Sequence, residues 1–205
     1  MIINWYGEGC FKIQTGGVTI LTDPFEASTG LSPARGKNEI VIRTLTGWPM
    51  KDEETEGTLI RGAGEYEAQK ILVSGFPLQA ESTDTFFKTA YKITAEDITI
   101  GLCGHLSEGL SQEAAEKMKD VDILVIPAGG KPFIAPEMAT KLIRQLSPKV
   151  VLASFFKTPG LKRSSADWKE LADEMDQKPE ILDKLTIRKK DLSDQKGTKL
   201  VVVTV

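Results

Sequence analysis

Two patterns of apolar and polar positions divide the chain near residue 105. Before it, short apolar segments are separated by glycine turns and polar loops; after it, apolar runs alternate with stretches of helical spacing. Ile2-Ile3-Asn4-Trp5-Tyr6 and Cys10-Phe11-Lys12-Ile13 flank Gly7-Glu8-Gly9 and predict a hairpin with a glycine turn. Gly16-Gly17 then turns the chain into Val18-Thr19-Ile20-Leu21, a strand that ends at Thr22-Asp23-Pro24-Phe25. Residues 26–37 carry Ser, Gly, Pro and Arg and predict a loop. Ile40-Val41-Ile42 predicts a buried strand, and Leu45, Gly47, Trp48, Pro49 and Met50 follow it at a corner. The acidic stretch 51–57 predicts a solvated turn. Further strands are predicted over 58–60, 68–75, 85–93 and 98–103.

In the second half, Ser111 is placed to cap a helix over 112–119 that has an acidic residue in its first turn. Asp122-Ile123-Leu124-Val125-Ile126-Pro127 is a continuous apolar strand of the kind covered on both faces. Residues 135–146 show helical spacing at Met138, Leu142 and Leu146, and Ser147-Pro148 ends that helix. A second buried strand over 149–153, a helix over 166–175 with Trp168 and Leu171 on one side, and a strand over 199–205 complete the chain. No linker or low-complexity segment interrupts the pattern, so residues 1–205 are expected to form one domain.

Composition narrows the function classes. An apolar content of 40% and a charged content of 27% are those of a soluble globular chain. A net charge of −3 offers no broad attraction to nucleic acid or to an anionic membrane, so neither is an expected partner. No apolar run approaches the roughly 20 residues of a membrane span. The opening MIINWYGEGCFKI lacks the layout of a signal peptide, and a cytoplasmic protein is expected. Cys10 and Cys103 sit in strand-like contexts and read as small buried hydrophobes, not as a disulfide framework. The single histidine, His105, argues against a histidine-rich zinc enzyme, since catalytic zinc sites are mostly built from imidazoles. Carboxylates are plentiful enough for a hard cation, but no Asp/Asn-rich calcium loop is present.

Few residues stand where chemistry is usually placed. Asp23 and His105 each follow a predicted strand, at the carboxyl end where α/β sites gather. Asp23 also suits an Asx-type turn, and a lone histidine is commonly a hydrogen-bonded structural group. No serine stands on a Gly-x-Ser-x-Gly elbow. Gly62-Ala63-Gly64-Glu65-Tyr66-Glu67 lacks the Lys-Ser/Thr pair of a phosphate loop and opens no helix. Pro127-Ala128-Gly129-Gly130 is a tight turn suited to a close backbone approach.

Several segments, taken in order, resemble one family. NWYGEGCFKIQTGGVTILTDPF resembles the opening of the small, single-domain metallo-β-lactamase-fold hydrolases. RGAGEYEAQKILVSGF resembles their Pro-Gly-Glu-Tyr-Glu segment, with Ala63 in place of the proline. Residues 98–152 resemble their central block, and KLTIRKKDLSDQKGTKLVVVTV their closing strands. The resemblance implies a four-layer αββα sandwich with a metal site, usually zinc, between two sheets. The family's apolar strand followed by Ser-His-Asp-His-x-Asp-His-Asn overlays residues 40–51 without a gap. Its ligand positions then fall on Leu45, Gly47, Pro49 and Met50. The family's bridging aspartate falls on His105 and a later histidine on Phe155, while Asp23 is kept. The resemblance thus implies the fold and removes the zinc that would lower a bound water's pKa toward roughly 7.

Three expectations follow. The first is a metal-free pseudoenzyme that acts as a binding or scaffold module for a protein or small-molecule partner, with Leu45, Trp48, Met50, Phe155 and Phe156 filling the former metal cavity. Burying such side chains is favourable by about 1.5–3 kcal/mol each. The second is a hydrolase whose site is rebuilt, or mononuclear, around Asp23, His105 and Glu65 or Glu108, with a carboxylate–histidine pair as general base. The third is a subunit that stabilises an active relative through a shared apolar face, so an oligomer is compatible with the sequence.

Overall fold

The computed structural model describes residues 1–52 and 55–205. Glu53 and Glu54 of the acidic turn lie outside the described residues. Among the described residues the first sheet is built from β1 (Ile2–Gly7), β2 (Cys10–Thr15), β3 (Val18–Thr22) and β4 (Ile40–Arg43). The short β5 (Leu45–Gly47) then leaves for the other sheet, while β6 (Thr58–Arg61) returns to the first. The second sheet takes β7 (Gly64–Ala68), β8 (Ile71–Pro77), β9 (Phe86–Ala95) and β10 (Ile98–Leu102). Helix α1 (Gln112–Lys117), β11 (Ile123–Pro127), α2 (Pro136–Leu146), β12 (Val150–Ser154) and α3 (Lys169–Glu174) follow in alternation. The chain closes with β13 (Glu180–Leu182), β14 (Leu185–Thr186), α4 (Lys189–Asp194) and β15 (Lys199–Val203).

The six-stranded sheet has the order β14-β1-β2-β3-β4-β6. The nine-stranded sheet runs β13-β15-β12-β11-β10-β9-β8-β7, with β5 paired to β9. One apolar cluster joins Ile3, Phe11, Ile20 and Ile42 of the first sheet to Tyr91, Ile93 and Ile100 of the second, so the two sheets share a core. β11 and β12 are buried at every position and lie parallel in the sheet interior, as continuous apolar runs require. The Ser111 hydroxyl caps α1 by accepting from the Ala114 N–H at 3.2 Å. Pro136 opens α2 and a left-handed Ser147 closes it.

The elements depart from the sequence reading in several places. The strand expected over 68–75 is two strands, because Gln69 and Lys70 both turn through positive φ (52° and 64°) and make a hairpin between β7 and β8. Gly64 to Glu67, to which no element was assigned, therefore lie in β7. Met138 is exposed, because α2 turns Ala139, Leu142, Ile143 and Leu146 inward instead. Finally, β13, β14 and α4 occupy residues to which no element was assigned. Their two or three paired residues are too few to leave a period.

No helix among the described residues is long and apolar enough to cross a membrane.

Candidate functional site

The carboxyl ends of β3 and β4 in one sheet meet those of β10 and β12 in the other. Parallel pairing of β3 with β4 sets Thr22 beside Ile42, and the Asp23 N–H donates to the Ile42 carbonyl at 2.8 Å. Asp23 thereby lies against Thr44, the residue just past β4. Two glycines permit the approach. A Cβ on Gly104 would lie 2.5 Å from Thr44 Oγ1, and one on Gly9 would lie 2.6 Å from the Phe155 ring.

Asp23 is buried, and both of its oxygens are occupied by Thr44. The Thr44 N–H donates to Oδ1 at 2.7 Å and the Thr44 hydroxyl to Oδ2 at 2.6 Å. Having given its one proton to Asp23, Thr44 Oγ1 accepts from His105 Nδ1 at 2.6 Å. The neutral imidazole therefore carries its proton on Nδ1, which leaves Nε2 as a bare acceptor on a ring that lines a cavity. Burial holds the His105 pKa below its ordinary value. The Asp23 carboxylate, 3.7 Å away, pulls it up, while Lys88 adds to the lowering.

An aromatic wall faces this chain of hydrogen bonds. Phe155 meets the His105 ring edge-on at 4.8 Å, and Phe133 lies 4.3 Å from Phe155. Phe155 has φ 53°, a left-handed conformation that costs a bulky residue about 1–3 kcal/mol. Its backbone is held there from both sides: its N–H donates to the Glu8 carbonyl at 3.1 Å and its carbonyl accepts from Arg163 Nη2 at 3.2 Å. Arg163 also forms a two-point pair with Glu8, at 3.1 and 2.9 Å, and lies 5.0 Å over the Phe133 ring. Between these groups is a cavity of about 550 Å³.

Comparison with known proteins adds the family. A model described as a β-lactamase superfamily domain matches residues 2–154. The chain belongs to the metallo-β-lactamase superfamily. A UPF0173 metal-dependent hydrolase of Lysinibacillus sphaericus is 24% identical over 195 residues, covering 77% of this chain and 86% of that protein. A UPF0173 protein of Pyrococcus abyssi is 22% identical over 185 residues, covering 78% and 85%. Among solved structures, one described as a Zn-dependent hydrolase of the metallo-β-lactamase superfamily from Thermotoga maritima superposes with a TM-score of 0.82. It is 23% identical, and the match covers 100% of this chain and 98% of that one. The two-sheet arrangement is thus the metallo-β-lactamase fold expected from the sequence.

Of the residues singled out in the sequence, this metallo-β-lactamase-fold chain brings Asp23, His105 and Phe155 together. Leu45 lies at the rim, 36% exposed, between this cavity and a neighbouring one. Gly47, Pro49 and Met50 are exposed beyond it. Trp48 and Met50, expected to fill the cavity, are 55% and 47% exposed instead. The reason is β5, whose pairing with β9 carries the corner outward and seats the Trp48 ring against Phe87 at 6.5 Å. Phe156, also expected as filler, is buried but stacks on Trp5 at 4.3 Å. Glu65 and Glu108 line a separate cavity of about 710 Å³, and Glu65 there accepts from the Ser74 hydroxyl at 2.7 Å. Sequence reasoning passed over Thr44, Phe133 and Arg163. None of the three carries a local signal, since a threonine just past a strand is commonplace until its parallel partner is known.

Proposed function

We propose that this chain is a metal-free metallo-β-lactamase-fold protein that works as a binding module. Carried onto the fold, the family's ligand positions are Leu45, Gly47, Pro49, Met50, His105 and Phe155. Leucine, glycine, proline and phenylalanine offer no donor atom, and a thioether is a poor ligand for zinc. Among the described residues no three His, Cys, Asp or Glu side chains converge in a way that could hold a metal ion. The donor set therefore does not fit zinc. The observation that carries the proposal is Asp23: both of its oxygens accept from Thr44, so its charge is spent inside the protein while an open cavity remains beside it. Elemental analysis of protein purified without chelator tests this. No stoichiometric metal is expected, and one or more zinc ions per chain would overturn the proposal.

A second reading keeps hydrolysis, and one observation favours it. Asp23, Thr44 and His105 form a hydrogen-bonded series that ends on the open Nε2, the geometry of a general base. Under this reading His105→Ala abolishes turnover of ester, phosphodiester or lactam probes, and unchanged turnover would reject it. Glu65 and Glu108 take no part, since they line the other cavity.

A further inference from the structure

Charged side chains of both signs line the 550 Å³ cavity. Glu8 and Asp23 line it together with Arg43, Lys162 and Arg163. Both carboxylates are satisfied within the protein, Asp23 by Thr44 and Glu8 by Arg163. Arg43 donates to the Pro24 carbonyl. Lys162 differs: it is exposed, and its ammonium has no hydrogen-bond or ion-pair partner among the described residues.

Two further features ask for something complementary. His105 Nε2 is an acceptor without a protein donor, on a ring that lines the cavity. Phe133 and Phe155 offer an apolar wall against which a ring can pack. The wall is already fixed by the Arg163 contacts, so a ligand does not bear the cost of ordering it.

We propose that the cavity binds a small aromatic monocarboxylate that also carries a hydroxyl or N–H group. The carboxylate pairs with Lys162, the ring packs on Phe133 and Phe155, and the hydroxyl or N–H donates to His105 Nε2. One negative charge matches the single Lys162 ammonium, whereas a phosphate monoester carries about two. The volume lies within the range of about 300–1,000 Å³ typical of small-molecule sites. This inference deepens the metal-free binding reading and rests on it.

Isothermal titration of the full chain with para-hydroxyphenylacetate tests the inference, with elemental analysis of the same sample. Saturable one-to-one binding is expected. Phenylacetate, lacking the donor, binds about fivefold more weakly, and the uncharged para-hydroxyphenylacetamide about tenfold more weakly. Lys162→Gln, at an exposed position away from the core, makes acid and amide bind alike; His105→Ala makes the hydroxylated and plain acids bind alike. Absence of saturation up to about 10 mM in metal-free protein overturns the ligand class and leaves the metal-free reading standing. Equal affinities of the three probes in the unsubstituted protein do the same. Stoichiometric zinc in the sample overturns the metal-free reading itself.

Discussion

Thr44 holds together the two groups with the most chemical potential in the molecule. Its hydroxyl is donor to Asp23 and acceptor from His105, each at 2.6 Å, so one oxygen fixes both a buried carboxylate and an imidazole tautomer. Thr44→Val keeps the shape but strips both partners of a hydrogen bond, and is expected to cost about 2 kcal/mol in urea denaturation. Thr44→Ser restores most of the loss. Nitrogen NMR of the imidazole provides the readout that a packing defect alone would not move: the Nδ1–H tautomer is fixed in the threonine and serine proteins and mixes in the valine variant. The cysteines make a contrasting case. Burial pushes both thiols up to about 12, so at about pH 8 neither is a useful nucleophile. A small alkylating reagent should label Cys10 and Cys103 in denaturant and neither in the native protein; rapid native labelling, read by mass spectrometry, would contradict this. The cysteines' burial was legible in the sequence because each sits in a strand-like segment. Thr44 was not, because a threonine after a strand announces nothing until the parallel partner brings Asp23 alongside.

The loop that follows His105 is tied down by one carboxylate. Glu81, in the short 3-10 turn Gln79–Glu81, accepts from the Ser107 N–H and hydroxyl and the Glu108 N–H, each at 2.7 Å, and from the Gly109 N–H at 3.1 Å. Lys88 completes the set at 3.2 Å. Burial alone would raise the Glu81 pKa, but the hydrogen bonds from Ser107, Glu108 and Gly109 together outweigh it and hold the group below its ordinary 4.5. A carboxyl whose native pKa is depressed adds stability that is fully present above the unfolded value. That stability is lost as pH falls through the native one. Glu81→Gln is therefore expected to cost about 3 kcal/mol near pH 7 and to flatten the loss of stability below pH 4.5. Urea titrations from neutral to acid pH measure both. At this scale legibility divided by burial. β11 and β12 could be read because apolar runs left no other use for those residues. The β7–β8 hairpin could not, because Gln69 and Lys70 adopt positive φ without the glycine or asparagine that usually marks such a turn.

For the whole molecule, the site exists because two sheets present their carboxyl ends to one another. Asp23 belongs to the first sheet's end and His105 to the second's, 82 positions apart in the chain. No local pattern in the sequence states that meeting; it came through the family's order of segments. Protonation of His105 therefore reports on how the sheets pack. Its native pKa lies below the ordinary 6.5, chiefly through burial, so between the two values the unfolded chain binds a proton that the native protein does not. Stability then rises with pH across that window: it is complete above 6.5 and declines as pH falls below it, until the native group is protonated as well. This decline begins at a higher pH than the one due to Glu81, which starts only below 4.5. His105→Gln, which cannot charge, should remove the upper decline and leave the lower one. Melting temperatures taken in steps from about pH 8 to pH 3 decide the matter. A variant that loses stability over the same interval as the unsubstituted protein would assign that slope to other groups, and would mean that His105 is as easily protonated in the fold as outside it.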